Sequence, residues 1–204
     1  EVGIETLSSW ARKMGVGSVT GIALDGEAAG TMPDEKWKQE SRGEDWYLGD
    51  TFITAIGQGD IQTTPLQVNY FTNIVANRGK VCEPMLEKVQ GSGDRVQNNC
   101  KTVDISKENI NLVIEGMRRA CYRGDDIDYQ GTAWPFFDYS TPVACKTGTA
   151  EFGHPEHKTH AWFTAFAPID DPDISVTVLL EEGGEGSTDA GPIAKKVMDE
   201  WLSR

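Results

Sequence analysis

The sequence has no apolar run near the roughly 20 residues that a membrane span needs, and no charged-then-apolar leader at its start. It therefore reads as soluble as it stands, which leaves open an anchor further upstream. Positive charge is scarce: 19 Lys and Arg face 32 Asp and Glu, for a formal net charge of −13. Nucleic acid and anionic membrane surfaces are thereby poor partners, because binding them requires clustered cations. Neither Gly-x-Gly-x-x-Gly nor Gly-x-x-x-x-Gly-Lys-Ser/Thr occurs, so the nucleotide-binding fingerprints are missing. The four cysteines form no Cys-x-x-Cys pair and no zinc-finger spacing, and there is no internal repeat or linker-like stretch. What remains is 204 residues, 38% apolar and 25% charged, enough for one large domain or a piece of one.

Periodicity divides the chain into elements. Ile4, Leu7, Trp10, Ala11 and Met14 share one helical face ahead of Gly15, and a short helix is expected from Pro33 to about Gln39. Thr64 as cap and Pro65 in the first turn open a helix that runs to Ala76 and closes on Asn77-Arg78-Gly79. Two strand-like stretches, 80–90 and 95–104, flank Gly91-Ser92-Gly93-Asp94 and read as a hairpin. Cys82 and Cys100 lie in them. A disulfide in an oxidising compartment and a pair of buried thiols are both compatible with that placement. Ser106 caps a further helix with Ile110, Val113, Ile114, Met117 and Cys121 along one side. The aromatic, acidic stretch 125–139 is too irregular to assign. Strands over 143–150, 160–167 and 174–180 follow with short connections and make an antiparallel meander. A last helix begins at Pro192, with Ile193, Val197 and Trp201 as its expected buried stripe.

Val143-Ala144-Cys145-Lys146-Thr147-Gly148-Thr149-Ala150-Glu151 is the stretch with the clearest chemistry. Side chains alternate on a strand, so Thr147 and Thr149 face one way and Lys146 the other, while Gly148 lets a ligand or another backbone approach between them. A cation flanked by two hydroxyls suits a carboxylate ligand. The other candidates are weaker. His154, His157 and His160 recur every third residue, but across a turn and a strand start that spacing does not converge on a metal. Glu151 and Asp189 read as solvated loop carboxylates before they read as an acid and base pair. Trp134, Phe136 and Phe137 either line a cleft or cover the core. Gly57-Gln58-Gly59 is a tight turn, assigned as structural support beside the site.

In order and spacing, the chain from about residue 3 onward resembles the C-terminal half of the transpeptidase domain of a class B penicillin-binding protein, of the penicillin-binding protein 2 type. The matching text is Thr20-Gly21-Ile22, Gly26-Glu27 and Gly30, then Trp46-Tyr47-Leu48-Gly49-Asp50-Thr51, Ala55-Ile56-Gly57-Gln58-Gly59 and Thr64-Pro65-Leu66-Gln67. Asn77-Arg78-Gly79, Gly116-Met117, Lys146-Thr147-Gly148-Thr149-Ala150-Glu151, and Trp162-Phe163 before Ala167-Pro168 complete it. No serine here is followed three places later by lysine or two places later by asparagine. In the family those motifs lie upstream, so the nucleophile is expected outside this sequence and the chain alone is expected to be inactive.

The resemblance implies an α+β fold of the penicillin-binding protein and serine β-lactamase kind, with an antiparallel sheet flanked by helices, residues 1–204 being the C-terminal portion of a single domain. It implies a serine D,D-transpeptidase that cross-links peptidoglycan stem peptides and is inhibited by β-lactams, without a cofactor. Lys146 and Thr149 take catalytic roles, the Thr149 N–H as an oxyanion donor, and Lys146, Thr147, Gly148 and Thr149 bind the substrate's terminal carboxylate. A wall-synthesis glycosyltransferase is the implied partner, and the implied location is the outer face of the cell membrane, with an N-terminal anchor. The alternatives are a β-lactam-sensing or β-lactamase-like domain, or a noncatalytic structural fragment. In the family two N-terminal strands pair beside the last strand. The 174–180 strand should then present an open edge, and the chain should be stable only with the upstream part, or a second copy, filling that edge. A monomeric, cooperatively folded 204-residue chain would contradict this expectation.

Overall fold

The structure, a computed structural model, describes residues 2–86, 99–124, 130–153, 156 and 158–204. They fall into two compact units, Glu1–Phe71 with Lys80–Val103, and Thr72–Gly79 with Asp104–Arg204.

The first unit contains α1 (Ile4–Lys13), α2 (Glu35–Arg42), α3 (Leu48–Ala55), the opening turns of α4 (Pro65–Ala76) and a two-stranded ribbon, β1 (Lys80–Cys82) with β2 (Cys100–Thr102). Ile4 packs with Val16 and Met32, while Trp10 is 40% exposed beneath the Lys13 ammonium. α2 starts later than its proline suggested. Asp34 is the cap, accepting the Trp37 N–H at 2.8 Å, and Gly43 at φ 69° stops the helix after Arg42.

α3 was not legible as a helix because its apolar side chains are not turned inward: Leu48, Phe52 and Ile53 are 68%, 63% and 47% exposed. Its start is fixed electrostatically instead. Asp50 accepts the Tyr47 N–H at 2.7 Å and the ammonium of Lys38 at 2.8 Å, and Lys38 is buried beside the Trp46 and Tyr47 rings. The Lys38 hydrogen bond holds the Asp50 carboxyl below its ordinary 3.8 and raises Lys38 in return.

At α4, Thr64 and Gln67 form a reciprocal capping box, Thr64 Oγ1 accepting from the Gln67 N–H and Gln67 Oε1 from the Thr64 N–H. The buried Gln67 amide also donates to the Ser18 and Ala29 carbonyls at 2.8 and 2.6 Å, so the helix start holds the preceding loop. Gly30, at φ 62°, is required there, since a Cβ would lie 2.3 Å from the Gln62 carbonyl oxygen. β1 and β2 pair antiparallel as the hairpin reading expected, with Cys82 opposite Cys100 and the two joined as a disulfide. The Gly91–Asp94 turn lies outside the described residues.

The second unit is built on the meander β3 (Ala144–Glu151), β4 (Thr159–Ala167) and β5 (Ile174–Leu180), in spatial order β3-β4-β5 and antiparallel throughout. α5 (Lys107–Ala120) starts where Ser106 accepts the Asn109 N–H, and α6 (Gly191–Leu202) closes the chain. Cys145 of β3, Ala161, Phe163 and Ala165 of β4, and Val176 of β5 form a core with Ala190, Ala194 and Met198. The opposite face carries a chain of hydroxyls. Thr164 lies 2.9 Å from Thr72 of α4 and 2.8 Å from Thr177 of β5.

The stripe expected to be buried on α6 was the wrong one. Ile193, Val197 and Trp201 are 41%, 47% and 45% exposed, whereas Ala190, Ala194 and Met198 are fully buried. Small residues let the helix lie close to the sheet, with Gly191 against Phe163 and Pro135, and this turns the bulkier stripe outward. Among the described residues no strand pairs the outer edge of β5.

Two outcomes follow from these contacts. Thr164→Val deprives the Thr72 and Thr177 hydroxyls of a shared partner inside the packing and should cost about 1–3 kcal/mol in urea unfolding. Because the Asp50 pKa is lowered on folding, its contribution is full above the ordinary carboxylate value and is lost as pH falls through the folded value. An acid titration of stability should therefore show a smaller loss in Asp50→Asn than in the parent; an unchanged acid limb would show that Asp50 does not contribute.

Candidate active site

The four residues singled out as site residues lie consecutively on β3, the end strand of the meander. Burial falls along it: Ala144 and Cys145 are fully buried, Thr147 and Gly148 partly so, and Lys146 and Thr149 are exposed. The register pairs Lys146 with Thr164, Thr147 with Phe163, Gly148 with Trp162 and Thr149 with Ala161. By strand alternation Cys145, Thr147 and Thr149 share one face, with Lys146 and Gly148 on the other. The Lys146 ammonium turns back to the Thr147 carbonyl oxygen.

Thr147 is held by a residue that the sequence reading missed. Its hydroxyl lies 2.9 Å from that of Thr132, on a segment hooked onto the end of α5. The Gly131 N–H donates to the Tyr122 carbonyl and the Ala133 N–H to the Ala120 carbonyl, at 3.0 and 2.9 Å. Any side chain at Gly131 would meet the Ala120 carbonyl oxygen at 2.2 Å. The same helix end is joined to β3 from within the core, because Cys121, its C-terminal cap, forms a disulfide with Cys145. A glycine followed by a hydroxyl was the available signal at Gly131-Thr132, and the irregular composition around it obscured it.

Two glycines meet behind the strand. A Cβ on Gly148 would lie 3.1 Å from the Trp162 Cβ, and a Cβ on Gly186 would lie 2.2 Å from the Trp162 carbonyl oxygen and 2.6 Å from that of Gly148. Of the two uses foreseen for Gly148, the approach of another backbone is realised here. Gly186 opens a single π-helical turn, Gly186–Ala190, inside the segment read only as a glycine-rich acidic loop. That turn is fixed by Asp189, whose carboxylate accepts the Glu185 N–H at 3.0 Å. Asp189 is thus a capping group, and Glu151 is exposed at the end of β3.

The remaining candidates separate. Phe136 is buried and stacks on Phe163 at 5.2 Å, which makes it core, while Trp134 is 52% exposed. His160 stacks on Phe152 and accepts the Glu182 N–H at Nδ1; His154 and His157 lie outside the described residues. Gly57, Gln58 and Gly59 belong to the first unit and terminate α3, with the Gly57 and Gln58 N–H groups donating to the Thr54 and Ile53 carbonyls.

The model of the penicillin-binding protein transpeptidase domain matches residues 1–199. The chain belongs to that family. It is 37% identical to the peptidoglycan D,D-transpeptidase MrdA of Haemophilus influenzae, over 100% of this chain and 33% of that protein. In structure it resembles Pseudomonas aeruginosa PBP2 in complex with WCK 5153, at 35% identity and TM-score 0.85, covering 98% of this chain and 44% of that one. It also resembles Helicobacter pylori PBP2 in its complex with MreC, at 35% identity and TM-score 0.81, over 98% and 36% of the two chains. The α+β reading therefore holds at the level of the family. The chain spans about a third of the length of the curated relatives it matches.

The backing of β3 has a direct test. Gly186→Ala drives a methyl group into two carbonyl oxygens and should cost about 1–3 kcal/mol by overpacking. Hydrogen exchange should speed up in β3 and β4 before β5. Stability and exchange equal to the parent would show that the close backbone approach is not required.

Proposed function

We propose that the intact protein is a serine-type peptidoglycan D,D-transpeptidase, and that β3 is the strand that grips the terminal carboxylate of the stem peptide. The observation that carries this reading is the placement of Lys146, Thr147, Gly148 and Thr149 in unbroken register on the end strand of the meander, its start at Ala144 and Cys145 buried and Lys146 and Thr149 exposed. On this reading Lys146 supplies positive potential to the carboxylate and supports proton transfer at the attacking hydroxyl. The Thr147 and Thr149 hydroxyls bind the carboxylate oxygens. The backbone N–H of Thr149 is one of two donors to the oxyanion of the tetrahedral intermediate. The nucleophilic serine comes from sequence outside these 204 residues, since no serine here has lysine three places on. The serine ester formed with release of D-alanine is then attacked by an amine of a neighbouring strand.

β-Lactams act in this scheme as acyl donors that leave a long-lived ester. The wall lies outside the membrane, so the domain acts on that side, tethered by a segment N-terminal to this chain and working with a glycosyltransferase that supplies glycan strands. Gly57-Gln58-Gly59 serves as a support.

Intact-mass measurement of the full-length protein after exposure to a labelled penicillin tests the reading. One stable adduct per molecule is expected, and Lys146→Ala should slow its formation by about 100-fold or more, the scale of losing a single preorganised electrostatic group. Rapid hydrolytic turnover of the penicillin would indicate a β-lactamase instead. Absence of an adduct would indicate a noncatalytic fragment.

A further inference from the structure

The Cys121–Cys145 bridge joins the end of α5 to the start of β3. Cys145 immediately precedes Lys146, and its side chain is on the same face of β3 as Thr147 and Thr149. The two cysteines are both buried but differ in their surroundings. Cys145 is fully buried, whereas Cys121 is 5% exposed and forms part of the wall of a cavity of about 430 Å³. Arg118, Tyr122, Arg123 and Asp138 line the same cavity. Each arginine has a carboxylate partner, Glu115 at 2.7 Å and Asp138 at 3.2 Å, so their charge is moderated but present where a thiolate would enter. Cations beside Cys121 favour the approach of a thiolate to its sulfur.

We propose that Cys121–Cys145 is a thiol–disulfide exchange site that sets the rigidity of the substrate-binding strand. The reductant is a dithiol. Its thiolate attacks Sγ of Cys121 through the cavity, the bond between the sulfurs breaks, and Cys145 leaves as a thiolate that takes up a proton. The second thiol of the reductant then displaces Cys121 and departs as a cyclic disulfide. The balance is two electrons and two protons from the dithiol, leaving two cysteine thiols on the protein. Opening the bridge removes the tie behind Lys146, while Thr132 and the Ala133 to Ala120 hydrogen bond continue to hold β3 near Thr147. The strand then stays in the sheet but its carboxylate-binding residues lose their fixed placement. The consequence for activity rests on the transpeptidase reading above; the exchange chemistry and the strand's rigidity do not.

The test uses the intact protein carrying Cys82→Ala and Cys100→Ala, which leaves Cys121 with Cys145 as the one bridge these four cysteines can form. Folded protein is held oxidised or treated with dithiothreitol, and thiols are mapped by alkylation. Hydrogen exchange over Ala144–Glu151 and the rate of penicillin acylation are then measured. Expected results are release of both thiols under native conditions, exchange in β3 faster by about 10-fold with β5 unchanged, and acylation slower by roughly 10- to 100-fold. Reoxidation should restore both. A bridge that resists dithiothreitol in the folded protein overturns the proposal, and so does one that opens without changing exchange in β3. If the oxidised protein takes up no penicillin the transpeptidase reading fails, and the exchange comparison still decides this inference.

Discussion

An end strand that displays a cation and two hydroxyls must be held firmly by more than its ladder, because among the described residues it has a strand neighbour on one edge only. In β3 this is met by three attachments of different chemistry. The Cys121–Cys145 bridge ties its buried start to the end of α5, Thr132 meets the Thr147 hydroxyl, and Gly186 brings a second backbone against Gly148. They reach Cys145, Thr147 and Gly148 in turn, so the strand from Lys146 through Thr149 is held by neighbours that do not themselves carry the proposed chemistry. The disulfide closes a separation of 24 residues, worth on the order of 3 kcal/mol in the chain-entropy picture.

The first unit is organised by buried polar groups as well. Gln67 holds two loop carbonyls from the start of α4, and Lys38 with Asp50 fixes the start of α3. Glu27 gathers the Thr20 N–H and hydroxyl and the Gly21 N–H; burial opposes its charge, but these hydrogen bonds prevail and lower its pKa. Several stretches that carried the family resemblance contain these groups: Gly26-Glu27, Trp46 to Thr51, and Thr64 to Gln67. These stretches are thus held by local hydrogen-bond partners within the first unit.

Much of this was readable in advance. Alternation and turn residues located the β3-β4-β5 meander, and capping rules located the starts of α4 and α5, because those signals are local. α3 was missed because its apolar residues point outward and its start depends on Lys38, twelve residues away. The α6 stripe was misjudged because hydrophobicity alone favours Ile193, Val197 and Trp201 over Ala194 and Met198, while close packing on the sheet selects the smaller set. The placement of Lys146 to Thr149 on a strand was legible from residue type and spacing. The contacts of Thr132 and Gly186 with that strand were not, since one is a hydroxyl pair and the other a backbone approach between segments apart in sequence.

In the proposed function the β3 hydroxyls grip a carboxylate. A crystal structure of the intact protein after acylation by a penicillin tests it most directly, through the positions of the adduct's carboxylate oxygens. Those oxygens are expected within about 2.5–3.0 Å of the Thr147 and Thr149 hydroxyls, with the Lys146 ammonium turned from its own strand toward the site. An adduct whose carboxylate lies away from β3, bound by other groups, would contradict it.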